Sequence, residues 1–567
     1  MKKNCIIIFC MLLGLINEVA SQNLIWAKQM GGTDFDYSYS IAVDYFGNVY
    51  TTGYFSGTAD FDPGTGTYNL TALGILDIFV SKLDATGNFL WAKQLGGNTS
   101  AGWGNSIDVD VSGNVYTTGQ FQGTVDFDPG SGTYNLMSAS AGFWDIFVSK
   151  LNASGNFIWA KRMGGVNNDI GISITFDESG NVYTTGWFNG TVDFDPGIGT
   201  YYLTGTAGFV SKLDASGNFI WAKQLGGIVT SVSVDTNGNV YSTGNFNFTL
   251  DFDPDTGTYY LTSAGMSDIF VSKLDSSGNF LWAKRLGGVY EDHSLSIAVD
   301  ISPVTGGIYT TGYFGATVDF DPDTGTYNVT SAGSNDIFIS KLDTSGHFLL
   351  ARHMGGILSD IGLSVAVDVS GNVYTVGTFD YIADFDPGTG TYNLISAGAY
   401  DIFVSKLNAS GNFLWAKQIG GTSNDFIRSI AVDANGNAYA TGYFGGTVDF
   451  DPGTGTYNLT SAGGSDIYVI KLGASLTSTE TNNSYPQSAV FISPNPATTE
   501  FQISNFQFQK GDELRLTDVF GKTLFTKTFS SPASQYPIPN TQYTNGIYFL
   551  SVQTEKGKNT RKLIVNH

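Results

Sequence analysis

One unit of sequence recurs seven times along this chain of 567 residues, and that count limits the folds open to it. Its anchor is Asp-Phe-Asp-Pro, beginning at Asp60, Asp126, Asp193, Asp251, Asp319, Asp384 and Asp449. A Ser-Ile-Ala-Val-Asp-like piece precedes each anchor and ends at Asp44, Asp110, Asp177, Asp235, Asp300, Asp368 and Asp433. Between the two lies a Gly-Asn-Val-Tyr-Thr-Thr-Gly-like piece. Asp-Ile-Phe-Val-Ser-Lys-Leu-like and Asn-Phe-Leu-Trp-Ala-Lys-Gln-Leu-Gly-Gly-like pieces follow the anchor. Repeats of this size imply stacked or radial copies of one supersecondary unit. What the copies share builds the scaffold, so function is sought where they differ.

Each piece alternates apolar and polar residues and is rich in Val, Ile, Tyr, Phe, Thr and Trp, the pattern of a β-strand. In order they are strands A, B, C and D. Turns such as Asp110-Val-Ser-Gly-Asn114 and Asp84-Ala-Thr-Gly-Asn88 supply a capping Asp and a glycine free to take positive φ. Four short antiparallel strands per repeat describe the blade of a β-propeller. Residues 23–32 read as a strand D with no A, B or C before it, and the last repeat stops after strand C at Lys471-Leu472. The expectation is an all-β, seven-bladed propeller closed by its N-terminal strand. An extra hairpin is expected between B and C around the Pro-Gly-x-Gly turn. Variable D–A and B–C connections on one face are the expected binding side.

Met1-Lys2-Lys3 and the apolar run from Ile6 to Ile16 read as a signal peptide over residues 1–21, with the mature chain starting near Gln22. Phe9 before Cys10 argues against lipoprotein processing. Cys5 and Cys10 are the two cysteines and both fall in the removed segment, so no disulfide is expected. No later stretch is apolar enough to span a membrane. The expected domains are the propeller over 22–473, a polar linker over 474–488 and a small antiparallel, Ig-like β-sandwich over 489–567. The formal net charge is −23. Residues 22–484 hold 17 Lys and Arg against 44 Asp and Glu, which disfavours nucleic acid and anionic membrane as partners. Fourteen of those bases occupy two repeated positions, one on strand C and one on strand D, and read as partners of repeated Asp residues. Only Arg162, Arg285 and Arg428 fall outside that pattern.

The last 80 or so residues carry Ser493-Pro-Asn-Pro496, Leu516-Thr-Asp-Val-Phe-Gly-Lys522, Asn545-Gly-Ile-Tyr-Phe-Leu550 and a basic end at Arg561-Lys562-Leu-Ile-Val565. This series resembles the C-terminal sorting domain of the type IX secretion system, the Por secretion tail. The resemblance assigns Pro494, Asn495, Pro496, Gly521, Gly546, Tyr548 and Lys562 to the sorting motif. It implies export across the outer membrane of a Bacteroidetes-type bacterium, with the secretion machinery as partner. It also implies a secreted or surface-attached product. Residues 23–472 resemble, more loosely, the seven-bladed propeller repeats of bacterial cell-surface proteins, which supports the fold and names no reaction.

Three sets of side chains are candidates for chemistry. Asp60 with Asp62, and likewise Asp126 with Asp128, are carboxylate pairs beside a glycine-rich turn and can offer oxygen ligands to Ca²⁺, the one candidate cofactor. Their alternative role is to cap that turn while the intervening Phe packs inward. Trp26, Trp91, Trp159, Trp221, Trp282 and Trp415 share one strand-D position and belong to packing. Trp103, Trp144 and Trp187 do not share it. They map to the variable face, where they either stack on a sugar or pack locally. His293, beside Glu291 and Asp292, and His353 are the remaining polar candidates. No His-Glu-x-x-His motif, Gly-x-Ser-x-Gly elbow or mature cysteine supports catalysis. Two readings follow. One is a surface binding or adhesion protein with a glycan or protein ligand on the variable face. The other is an exported metal-dependent hydrolase of the phytase-like propeller kind, which requires His293, His353, Arg285 and acidic loop residues to meet in one pocket.

Overall fold

The computed structural model describes residues 22–474 except 99 and 303–305, and beyond them 491–493, 500–504, 508–518, 522–531, 536–539, 546–554 and 557–565. The expected signal peptide and most of the expected linker lie outside these residues. The chain divides into two compact units, Met1–Ser475 and Leu476–His567. The described residues contain β-strands and no helix, and every strand-to-strand ladder is antiparallel.

In the first repeat strand A is Asp36–Val43, B is Val49–Phe55, C is Asp77–Leu83 and D is Phe89–Leu95, hydrogen-bonded in the order A-B-C-D. The next five copies build the same four-stranded ladder. In the seventh, A (Phe426–Val432), B (Ala438–Asp449) and C (Asn458–Ala474) are completed by the N-terminal strand Gln22–Gly32, which pairs from Gln22↔Ala474 to Met30↔Ile467. The hairpin between B and C is present but less separate than expected. In the third, fifth, sixth and seventh copies strand B runs straight into it, as in Val182–Asp193 paired with Tyr202–Leu213.

Neighbouring repeats are clamped by one recurring contact. The strand-D Trp91 indole and the strand-C Lys82 ammonium both donate to the Ala153 carbonyl in the C–D turn of the next repeat, at 3.2 and 3.4 Å. Trp159 with Lys150, Trp221 with Lys212 and Trp282 with Lys273 do the same to Ala215, Ser276 and Thr344. Trp26 and Lys471, on the last sheet, close on Ala85 of the first at 3.3 and 3.2 Å. Each strand-C Lys also lies over a strand-B Tyr ring, 4.8 Å away for Lys82 and Tyr50. The strand-C lysines are therefore inter-repeat clamps as well as neighbours of Asp residues, and the strand-D Lys223 and Lys284 pair with Asp255 and Asp323. Ion pairs with the repeated Asp form at Lys212–Asp177 and Lys406–Asp368.

A second staple joins the A strands. Ser40 Oγ accepts the Ile107 amide of the next repeat at 3.2 Å, and Ser106, Ser173, Ser231, Ser296 and Ser364 repeat the bond. One amide on the open edge of each of these six A strands is thus satisfied by the neighbouring repeat.

The Gly-Gly that ends strand D also has a steric cause. At Gly420-Gly421, a Cβ on Gly420 would lie 2.3 Å from the Asp401 carboxyl carbon, while the Gly421 amide donates to Asp425 Oδ2 at 2.7 Å. Gly164-Gly165 and Gly287-Gly288 sit in the same way between Asp145 and Asp169 and between Asp268 and Asp292. These carboxylates are fully buried. Burial pushes Asp36, Asp169, Asp292, Asp336, Asp360 and Asp425 up to about 7. Two off-pattern arginines belong here, since Arg162 pairs with Asp145 and Arg285 with Asp268, each at 2.7 Å.

The C-terminal unit holds a three-stranded sheet (Phe491–Ser493, Glu500–Ser504, Tyr536–Pro539) and a four-stranded one (Glu513–Asp518, Thr523–Thr528, Gly546–Thr554, Gly557–Val565). Leu514, Leu516, Tyr548, Leu550 and Val552 are buried on the second, and the Phe508 and Phe529 rings stack at 3.9 Å.

Candidate functional site

The copies diverge most at one structural position. In every repeat a strand-B glycine packs against strand A so closely that a Cβ on Gly53 would lie 1.8 Å from the Tyr37 carbonyl oxygen. Strand A carries a bulge there, with the register shifting between Ser38 and Ser40 in the first repeat and at the matching place in the others. Bulges re-aim the adjoining side chains. The cross-strand pair beside this bulge is Tyr37–Tyr54, Trp103–Gln120, Ile170–Trp187, Ile228–Asn245, His293–Tyr313, Ile361–Thr378 and Phe426–Tyr443 in the seven repeats. The glycine and the bulge are constant while the paired side chains are free to vary.

The aromatic members concentrate on the seventh, first and second repeats. Phe426 meets Tyr443 at 5.1 Å, Tyr443 meets Tyr37 at 4.0 Å, and Tyr37 meets Tyr54 at 5.0 Å. Tyr54 stacks on Trp103 at 5.6 Å and 26°, and Trp103 meets Trp144 at 5.5 Å. The result is an unbroken run of rings. Tyr37, Trp103, Trp144, Phe426 and Tyr443 are half-buried, and Phe35 at the margin, 6.1 Å from Tyr37, is exposed. The Trp103 indole N–H is buried without a hydrogen-bond partner. Arg428, two residues past Phe426 on strand A, holds its guanidinium 5.4 Å from both the Tyr39 and Tyr443 rings and donates to the Tyr443 hydroxyl at 2.9 Å.

The expected site residues are thus distributed unevenly. Trp103 lies on strand A (Ala101–Val109), not in the D–A loop expected, because the strand starts earlier than its alternation indicates. It is joined to Trp144, whereas Trp187 sits on strand B of the third repeat opposite Ile170. His293 is the first residue of strand A of the fifth repeat rather than a loop residue. It stacks on Tyr313 at 4.9 Å and 10°, and burial holds its imidazole below the usual value. His353 presents its edge to Phe314, and Arg285 is taken up by Asp268. Each of the three has a different neighbour. Tyr37, Tyr39, Tyr54, Phe426 and Tyr443 were missed because each stands inside a repeated strand. Comparing the residue after each strand-B glycine across the copies finds the strand-B members.

Asp60 Oδ1 accepts the amides of Asp62 and Tyr68 at 3.0 and 2.8 Å, and Asp62 Oδ1 accepts that of Gly64 at 2.8 Å. Asp126 and Asp128 repeat these bonds with Asp128, Tyr134 and Gly130. The intervening Phe61 and Phe127 are fully buried. Among the described residues no group of three or more His, Cys, Asp or Glu is placed to hold a metal ion. Of the sorting-motif residues, Pro494, Asn495, Pro496 and Gly521 lie outside the described residues. Gly546 and Tyr548 lie on one strand, and Lys562 on its partner opposite Phe549. No helix among the described residues is long and apolar enough to cross a membrane.

Comparison with known proteins adds two family matches. The profile of a family described as a β-propeller repeat matches residues 25–59, 158–192 and 414–443. That of a secretion system C-terminal sorting domain matches residues 491–566. The second implies engagement of the type IX secretion system and export from the cell. An uncharacterized WD repeat-containing protein of Acanthamoeba polyphaga mimivirus is 25% identical over 63% of this chain and 31% of its own length. The regulatory protein FlaEY of Caulobacter vibrioides is 26% identical over 36% of this chain and 22% of its own. The matched stretches therefore span a third or less of either relative. A crystal structure of a protein of unknown function from Bacteroides caccae is 11% identical, with a TM-score of 0.20, covering 47% of this chain and 94% of that one.

Proposed function

We propose that residues 22–473 close into a ring of seven blades and that the exported protein is a binding protein of the bacterial surface or surroundings, with a glycan held on the ring run of the seventh, first and second repeats. The pairing of Gln22–Gly32 with Asn458–Ala474 and the Ala85 clamp support closure. The observation that carries the binding reading is the unbroken series from Phe426 to Trp144, most of it built at a strand position where the copies vary. Half-buried flat rings offer apolar faces to sugar C–H groups. Residues 489–567 act as the sorting tail, after which the product is released or held at the cell surface.

The test is a glycan-array screen of the exported protein beside its Trp103→Ala and Trp144→Ala variants. Binding by the parent protein that falls at least tenfold in both variants is expected. A parent protein that binds no glycan, or variants that bind as well as the parent, would overturn the reading. Capture of a protein ligand by the same residues would replace glycan with protein.

A further inference from the structure

Resting on that reading, we propose that the glycan carries a carboxylate, as a uronic-acid unit does, and that Arg428 receives it. Arg162 and Arg285, the other arginines outside the repeated basic positions, are each neutralised by a buried Asp. Arg352 donates to the Gly411, Ala351 and Ser410 carbonyls, and Arg515 pairs with Glu513. Arg428, in contrast to these four, has neither a carboxylate nor a carbonyl partner. Its Nε is buried with no hydrogen-bond partner. Its guanidinium meets one hydroxyl and two ring faces. Residues at the equivalent place on other A strands reach the next strand's backbone: Asn105 donates to the Gly171 carbonyl and Thr230 to that of Ser294, both at 2.8 Å. Arg428 makes no such bond, so bridging the strands does not account for it.

A half-buried guanidinium that has rings and a hydroxyl but no ionic partner is stabilised by an anion that reaches its outer N–H groups, and a carboxylate matches that fork. The charge is local. A chain of net charge −23 repels a densely anionic polymer, so the fitting ligand is a mainly neutral glycan with sparse acidic units.

The experiment measures binding of the exported protein to neutral xylo-oligosaccharides bearing a single glucuronic-acid unit and to their methyl esters, which keep the ring and remove the charge. The acid is expected to bind at least tenfold tighter than the ester, with the difference shrinking as salt rises. Arg428→Gln should abolish that preference and Arg428→Lys should restore part of it, with thermal melting reporting that both variants fold. Equal binding of acid and ester, or a preference that survives in Arg428→Gln, overturns the inference. If neutral sugars bind in a Trp103-dependent way while acids gain nothing, the carboxylate inference alone fails. If no sugar of either kind binds, here or on the array, both readings fail. Arg428-dependent capture of acidic peptides instead would overturn the glycan assignment.

Discussion

Substituting Gly420 by Ala tests why strand D ends in two glycines. The new Cβ would lie 2.3, 2.4 and 2.5 Å from Cγ, Oδ2 and Oδ1 of Asp401, so the carboxyl must move. Asp401 is fully buried and accepts from Gln418 Nε2 at 2.6 Å and from the Ala397 amide at 2.8 Å. Hydrogen bonds to a charged or strongly polar buried group contribute about 1.5–3 kcal/mol each. Losing both, offset by the ~0.5–1 kcal/mol gained when Ala replaces Gly in a strand, leaves a cost of about 2–5 kcal/mol. The third repeat lacks the clashing carboxyl, because Ala207 stands where the other copies have this Asp and a Cβ on Gly226 would meet Leu250 and Phe252 instead. In an Asp401→Gly background the Gly420→Ala cost should therefore drop below about 1 kcal/mol. The assay is urea unfolding followed by tryptophan fluorescence for the four members of the cycle. An equal cost in both backgrounds would refute the steric account.

Further expectations follow from the same contacts. Asp36, Asp169, Asp292, Asp336, Asp360 and Asp425 titrate near 7 in the folded protein and near 3.8 when unfolded, so the folded state binds more protons between those values. Their favourable contribution is complete below about pH 4 and is lost as pH rises through 7. Thermal melting should accordingly be higher at pH 5 than at pH 8, and a flat or rising profile would contradict it. Because the Asp60, Asp62, Asp126 and Asp128 oxygens accept backbone amides, melting should not change when a chelator is added; a drop of several degrees would restore Ca²⁺ at the anchor. Phe248 and Tyr381 hold φ of 65° and 64° where other copies have glycine, and both are exposed. Replacing either by Gly should raise stability by about 1 kcal/mol, measured by urea unfolding, and a loss would show that the side chain makes a needed contact.

The repeat fold was legible because strand alternation, Asp-capped turns and the orphan N-terminal strand D are local or countable features. The sorting tail was legible through spaced motifs. The candidate site was only half legible. Trp103 and Trp144 stood out as tryptophans off the repeated position, but their neighbours Tyr37 and Tyr443 are 406 residues apart in sequence and meet through the contact of the last repeat with the first. Arg428 could be singled out by comparing copies, yet its lack of an ionic partner is a fact of three-dimensional packing. The Gly-Gly motif was visible as a motif, and its cause, a buried carboxyl on either side, was not.

Juxtaposition of the last and first repeats is what assembles the aromatic run, and amide hydrogen exchange over residues 23–32 tests it most directly. Paired with residues 467–474, these amides should exchange as slowly as those of an interior strand D such as Phe89–Leu95. Exchange of the whole segment at the rate of a free tail, with Phe89–Leu95 still protected, would contradict the closed arrangement and the site built across it.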